Sequence, residues 1–308
     1  MIARTALALL PLVGFAFIGG SDGVARPSAA PACAGIQDDQ VWVPGGLARF
    51  GSDAAYPDEG PAYEARIKGF WIDRHEVTNR QFAEFTSATG HITQAEREGG
   101  SIVFDPPGPG EVPVEPSQWW SWVEGADWRH PDGPKSSLAG RDNLPVVHVA
   151  YSDALAYAAW KGRALPSEEQ FEYAARAGAE QSLDQPGPRK ANTWQGSFPV
   201  ENTNDDGHPR LAPVGCYEAN GFGLDDMIGN AWEWTRSWYL PGHGAFPENP
   251  DGNPSYYPGQ PDVQARVIKG GSFLCAPNYC ARYRPEARHA QDESAGASHI
   301  GFRTVSAS

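Results

Sequence analysis

Two long stretches, residues 99–140 and 192–229, carry neither the two-residue alternation of a strand nor the 3.6-residue repeat of a helix. The first is rich in proline and brings Trp119, Trp120, Trp122 and Trp128 close together; the second is dense in Asn, Asp and Gly. A loop of such length inside a compact domain is functional or disordered as a rule, and four tryptophans argue against disorder. Such a chain must be held by aromatic packing and local cross-links rather than by one large sheet. Its 35 Gly, 28 Pro and 11 Trp against only 2 Met agree with a turn-rich fold pinned by aromatics.

Between these stretches the pattern is more regular. "VWVPGGLARFG", from Val41, alternates like a strand pair around a Pro-Gly-Gly turn, and "RIKGFWIDRHEVTN" continues the alternation from Arg66. "NRQFAEFTSATG" shifts to helical spacing, with Thr78 or Asn79 as cap, Phe82 and Phe85 on one face and Gly90 at the end. Two further helices are expected, one starting at Ser152 and one at Ser167, where Gln170 completes a capping box and Gly178 ends the helix. "RVIKGGSF" and "HIGFRTV" read as short strands near the C-terminus. The fold class is therefore α+β, a single loop-rich domain with little regular structure. No Ser/Gly linker or internal repeat divides it.

Residues 1–30 read as an export signal with a disordered lead-in. Arg4 gives a positive start, the run from Thr5 to Ile18 is almost wholly apolar, Gly19 and Gly20 break it, and small residues beyond offer cleavage sites. That run is too short for a stable membrane span, so the mature protein is expected to be periplasmic or secreted, with no span left after signal removal. The formal charge of -14 argues against a nucleic-acid backbone as partner.

Oxygen-rich clusters at Asn202–Asp206 and at Asp225, Asp226, Asn230 and Glu233 suit a hard ion such as calcium, although neither follows the helix-loop-helix calcium pattern. Cys275 and Cys280, with four residues between them, have no second Cys or His pair at zinc spacing, and the histidines are scattered, which leaves zinc and non-haem iron without a site. Two thiolates can hold Cu(I), a soft ion content with two sulfur ligands. Spacing alone favours a disulfide in an oxidising compartment. No G-x-S-x-G element or phosphate loop is present.

"FWIDRHEVTNRQFAEF", "LPVVHVAYSDALAYAAWKGRALPSEEQFEYAARAG", "NGFGLDDMIGNAWEWT", "RVIKGGSFLCAPNYCARYRPEAR" and "HIGFR" stand in one order. In that order they resemble the formylglycine-generating enzymes, the sulfatase-modifying factor family, over residues 41–305. The resemblance implies a C-type-lectin-like variant of the fold. It also implies a reaction: a Cys-x-Pro-x-Arg cysteine in an unfolded sulfatase becomes Cα-formylglycine, with O2 and a thiol reductant consumed and Cu(I) held near-linearly by Cys275 and Cys280. Ser272 and Tyr279 match positions that can orient the substrate thiol or an oxygen species, and Trp232 matches a wall that limits water. Two structural calcium ions are implied. One would use Asn192 and Asp206 side chains with Thr193 and His208 main-chain oxygens; the other, Asp226 and Glu233 with main-chain oxygens of Gly229 and Ala231. The enzyme would act as a monomer.

Departures from the family pattern are specific. Ala158, Ala175, Pro285 and Thr304 stand where some relatives pair cysteines, His299 stands where some have asparagine, and "AEQSLDQPGPRKAN" after Gly178 suggests a rebuilt surface loop. Cys33 and Cys216 carry no family role and can bridge each other. Two other readings stay open: a related oxidase acting on another exported peptide or a siderophore precursor, and a lectin-type binding module with a plain Cys275–Cys280 disulfide.

Overall fold

The computed structural model describes residues 33, 36–108, 115, 119–177, 186–187, 190–243 and 254–307. The expected export signal, Gly178 and most of the loop after it lie outside the described residues. In chain order the strands and helices are β1 (Gln40–Val43), β2 (Gly46–Phe50), β3 (Tyr63–Ile67), β4 (Phe70–Asp73), α1 (Asn79–Thr89), α2 (Gln94–Glu98), β5 (Gly100–Phe104) and β6 (Trp120–Glu124). There follow α3 (Tyr151–Trp160), α4 (Glu168–Arg176), β7 (Trp232–Trp238), β8 (Ala265–Lys269), β9 (Arg288–Asp292), β10 (Ile300–Gly301) and β11 (Val305–Ala307).

Small sheets replace one large one: β1-β4-β11, β10-β7-β8-β9, and the pairs β2-β3 and β5-β6. The Pro-Gly-Gly hairpin expected from Val41 to Gly51 does not form. β1 pairs with β4, while β2 pairs with β3. Val43, Phe70, Ile72 and Val305 bury together on one sheet, so the turn carries the chain from that sheet to the next instead of folding it back. Residues 99–140 are likewise not wholly irregular, since β5 and β6 pair in register from Gly100↔Glu124 to Phe104↔Trp120. Burial on both faces of β5 erases the alternation that would have marked it.

The helices follow local chemistry. Thr78 caps α1 through the Gln81 amide and Gly90 closes it in the left-handed region, and Ser167 with Gln170 caps α4. α3 begins one residue before Ser152, because the Asp153 carboxylate accepts the Ala150 N–H (3.0 Å) and draws in the N-terminal turns of α3 and α2. α4 ends at Ala177, which adopts a left-handed conformation. The main core lies between α1, α3 and β7, where Phe82, Phe85, Tyr157, Trp234 and Phe302 meet. Of the four clustered tryptophans, Trp119 and Trp128 are core residues, whereas Trp122 is 56% exposed. Trp128 meets Phe82 edge-on at 5.1 Å.

Arg303, wholly buried, joins segments that no sheet connects. Its Nε donates to both Glu233 oxygens (3.0 and 2.7 Å) and Nη2 to Glu233 Oε1 (2.8 Å), while the main-chain oxygens of Asp73, Arg74, Asp225 and Asp226 take its remaining donors. A guanidinium has five donors in a planar fork, and here each has a partner. Cys33 and Cys216 form a disulfide that fastens the start of the described chain to a loop 183 residues away. Among the described residues no helix is long and apolar enough to cross a membrane.

Two predictions follow from this packing. Arg303→Met leaves the Glu233 carboxylate buried without its partner and should cost about 3–5 kcal/mol in urea unfolding, because a stranded buried charge is far more costly than a lost surface pair. A loss below about 1 kcal/mol would contradict the tie described. His148 is fully buried between Ser101 Oγ and the Pro131 carbonyl, both at 2.9 Å, and burial lowers its pKa to about 4. The unfolded chain takes up this proton first as pH falls, so stability present above about pH 6.5 should be lost towards pH 4, by roughly 3 kcal/mol from this group. Unfolding curves for His148→Asn, which keeps a residue tolerant of the φ of +61° found there, should show a shallower acid limb.

Candidate active site

β8 and β9 pair with Lys269 opposite Arg288, so residues 270–287 are the connection between neighbouring strands and return to their starting point. This connection carries both cysteines. Gly271 has a φ of +78°, and a Cβ there would lie 2.9 Å from the Arg282 carbonyl and 3.4 Å from Cys275 Sγ, so only glycine lets the loop close so tightly. The Cys275 N–H donates to the Ser272 carbonyl (2.9 Å), and the Tyr279 and Cys280 N–H groups both donate to the Ala276 carbonyl (3.1 and 3.0 Å). These consecutive turns bring the two sulfurs to 2.7 Å without a bond. The disulfide favoured by spacing is therefore absent here.

The two thiols are shifted in opposite directions. Burial pushes the Cys275 thiol well up, while the Cys275 hydrogen bond, helped by the Arg282 N–H and guanidinium, lowers Cys280. These opposite shifts favour Cys275 S–H as the donor and Cys280 as the acceptor of the sulfur–sulfur hydrogen bond.

Both sulfurs line a cavity of about 490 Å³, together with Ser272, Tyr279 and Trp232. Ser272 Oγ accepts the Leu274 N–H (3.3 Å), which leaves its own proton free to donate. Tyr279 stacks on Phe198 at 4.1 Å and meets Trp119 edge-on. Trp232, on β7 and only 3% exposed, faces the His289 ring at 5.9 Å. All five expected residues meet in one cavity.

Tyr56, Trp120, Arg282 and His289 also line that cavity, and the sequence pattern assigns none of them a role in the site. Asp58 binds Arg282 with both oxygens (3.1 Å each), and the Arg282 guanidinium lies 4.0 Å over the Tyr56 ring. The signal was invisible because Asp58 and Arg282 are 224 residues apart. His299 packs against Trp120 at 4.7 Å, and burial drops its pKa to about 3, so its imidazole is neutral across ordinary pH.

Beneath the cysteine loop lies a buried ionic layer. Glu59 accepts two bonds from Arg284 (2.7 and 2.8 Å), Glu172 pairs with Lys269 (3.1 Å), and Glu168 pairs with Arg288 (2.7 Å). Arg282, Arg284 and Arg288 belong to the β8–β9 connection or to the start of β9, so Asp58, Glu59 and Glu168 tie that connection to two other segments of the chain.

The donor set fits a soft ion, with two sulfurs, apolar walls and no carboxylate on the cavity. An ion between the sulfurs must part them, since 2.7 Å is a hydrogen-bonded separation. Among the described residues no three His, Cys, Asp or Glu side chains converge on a metal position, so the expected calcium sites must draw on amide and main-chain oxygens. Thr193, Asp206 and His208 gather in one cluster, whereas the Asn192 side chain donates to the Arg210 carbonyl (2.8 Å) and Asn230 Oδ1 (3.1 Å). Gln195 Nε2 bridges the Thr193 carbonyl (2.9 Å) and Asp206 Oδ2 (3.1 Å), and His208 N–H donates to Asp206 Oδ1 (2.9 Å).

At the second place, Glu233 is taken by Arg303, while Asp226 Oδ1 and Glu76 Oε2 are buried without a hydrogen bond among the described residues. Glu76 accepts from Asn230 Nδ2 (3.1 Å) beside them. Burial, with the neighbouring carboxylates, lifts Glu76 well up and Asp226 to about 7. Three carboxylates around one guanidinium leave an excess of buried negative charge here, although their side chains do not converge on one metal position.

Residues 26–308 match the family described as Sulfatase-modifying factor enzyme 1-like domain. The formylglycine-generating enzyme of Mycobacterium tuberculosis is 45% identical over 293 residues, covering 86% of this chain and 96% of that one. The formylglycine-generating enzyme of Bos taurus is 40% identical over 280 residues, covering 85% of this chain and 73% of that one. Among solved structures, PvdO from Pseudomonas aeruginosa superposes with a TM-score of 0.60 at 24% identity, covering 86% of this chain and 93% of that one, a likeness of fold. The loop-rich α+β fold expected from sequence is the fold found, and the chain belongs to the sulfatase-modifying factor family, that of the formylglycine-generating enzymes.

Proposed function

We propose that this chain matures sulfatases outside the cytoplasm, converting the cysteine of a Cys-x-Pro-x-Arg segment into Cα-formylglycine with O2, a thiol reductant and Cu(I). The observation that carries this reading is the unlinked Cys275–Cys280 pair on the wall of a cavity that also holds Ser272, Tyr279 and Trp232. The relatives named as formylglycine-generating enzymes support it. Export is supported by the apolar run after Arg4 and by the Cys33–Cys216 disulfide, a bond that persists in oxidising compartments.

The conversion balances as a thiol, O2, two electrons and two protons giving an aldehyde, hydrogen sulfide and water. Copper, held by Cys275 and Cys280, would supply one-electron chemistry towards oxygen. The residues of the chain supply the rest. Cys280 is the more readily deprotonated of the two, because the Cys275 hydrogen bond lowers its pKa. The Ser272 hydroxyl, anchored through Leu274 N–H, is aimed by the turn and can donate to a sulfur or oxygen of the incoming group. Tyr279, fixed by its stack on Phe198, holds a second hydroxyl at the rim, and Trp232 closes the apolar wall against water. Calcium at the two loop clusters would be structural, and at the second it would meet the Asp226 Oδ1 that has no hydrogen bond among the described residues.

A Cys-x-Pro-x-Arg peptide incubated with Cu(I)-loaded protein, O2 and a thiol reductant should show the mass loss of thiol-to-aldehyde conversion. No conversion alongside a working control enzyme would refute the reading. Cys275→Ala or Cys280→Ala should remove both copper binding and turnover, and Ser272→Ala should lower kcat by about a hundredfold if its hydroxyl moves or orients a proton. Chelation should lower Tm and calcium should restore it, with two ions bound per chain by calorimetry. Asp206→Ala and Asp226→Ala should each leave one, and full stoichiometry in either variant would overturn that ligand set.

A further inference from the structure

The catalytic loop has two faces, and each borders a cavity. Ser272 and Leu274 line the cysteine cavity, but Phe273 between them lines a second cavity of about 220 Å³. The same alternation recurs in the segment before β10, where Ala297 and His299 face the first cavity and Ser298 the second. No residue lines both. The second cavity is therefore a separate space against the reverse side of the same two segments.

Its construction is that of a binding pocket. The inner wall is apolar, with Trp128, Val147 and Phe273 each less than 5% exposed and Leu144, Pro145 and Leu211 beside them. At the rim, Asp132 lies between Arg141 (3.1 Å) and Arg210, so two guanidiniums share one carboxylate and one positive charge is left over among the lining residues. Arg210 is further fixed by donating to the Phe104 carbonyl (3.0 Å), which holds it at the rim. The Trp128 Nε1–H is buried and meets no acceptor among the described residues, whereas Trp234 in the same core donates to the Val149 carbonyl at 3.0 Å. A buried donor without an acceptor is costly, and a cavity beside it is where an acceptor would sit.

We propose that this second cavity binds a small monocarboxylate with an apolar, ring-sized body. The apolar wall takes the body, and the carboxylate supplies both the negative charge missing at the rim and an acceptor for an indole N–H. The size agrees, since an apolar cavity of about 150 Å³ already accommodates benzene. A neutral ligand of the same shape leaves the surplus guanidinium charge unmatched, so the site discriminates by charge as well as by size. Because Phe273 and Ser298 each adjoin a residue of the catalytic cavity, the ligand would rest against the back of the cysteine loop.

Benzoate titrated into the full chain by isothermal calorimetry should bind saturably with one site, and benzyl alcohol should bind at least tenfold more weakly. Trp128→Phe, which keeps the ring and removes the N–H, and Arg141→Gln, at the exposed rim, should each weaken benzoate by roughly tenfold while leaving the circular dichroism spectrum unchanged. Arg141→Gln keeps the test open if Trp128→Phe does not fold. The proposal is overturned by absence of saturable benzoate binding up to about 10 mM. It is equally overturned by equal affinity for benzyl alcohol, or by wild-type affinity in a folded variant, which would locate binding elsewhere. None of these outcomes depends on the activity of the cysteine pair.

Discussion

The buried guanidinium of Arg303 is the contact on which the architecture most depends. With sheets of two to four strands, backbone ladders cannot join the ends of β4 and β7 to the loop at 225–226. Arg303 does so with one side chain, pairing with Glu233 and donating to the carbonyls of Asp73, Arg74, Asp225 and Asp226 around its edge. Only a planar, permanently charged group with five donors can satisfy so many acceptors at once without water. The same contact concentrates negative charge: Glu76 and Asp226 sit beside Glu233, and one guanidinium does not balance three carboxylates.

The cysteine loop is organised by the same kind of force. Arg282, Arg284 and Arg288 reach downward into Asp58, Glu59 and Glu168, which come from distant parts of the chain. A loop without its own ladder is thereby fixed tightly enough to hold two sulfurs at hydrogen-bond distance. Removing water from these pairs costs free energy, and geometry of this quality is what offsets it. The site is consequently rigid at its base, with aromatic residues rather than charged ones forming its upper walls.

Much of this was legible in the sequence where the determinant is local. The capping boxes at Thr78 and Ser167 mark their helices because cap and partner are three residues apart. Cys275, Cys280, Ser272 and Tyr279 stand within nine residues of one another, and Trp232 follows from its motif, so the cavity could be anticipated by residue. The Pro-Gly-Gly hairpin failed because strand pairing is a contest between partners, and β4 offered Phe70 and Ile72 for burial against Val43. β5 and β6 were missed because their residues are buried without alternation and 15 residues separate them.

By itself the sequence determined the α+β class, the capped starts of α1 and α4, the grouping of the cysteine-loop residues and the oxygen-rich loops, since each depends on residue type and short spacing. Only the tertiary structure decided that Asp58 clamps Arg282, that three carboxylates share Arg303, and that the cysteine loop separates two cavities. Those features arise from residues tens to hundreds of positions apart, and short-range pattern carries no information about which distant charges meet once water is excluded.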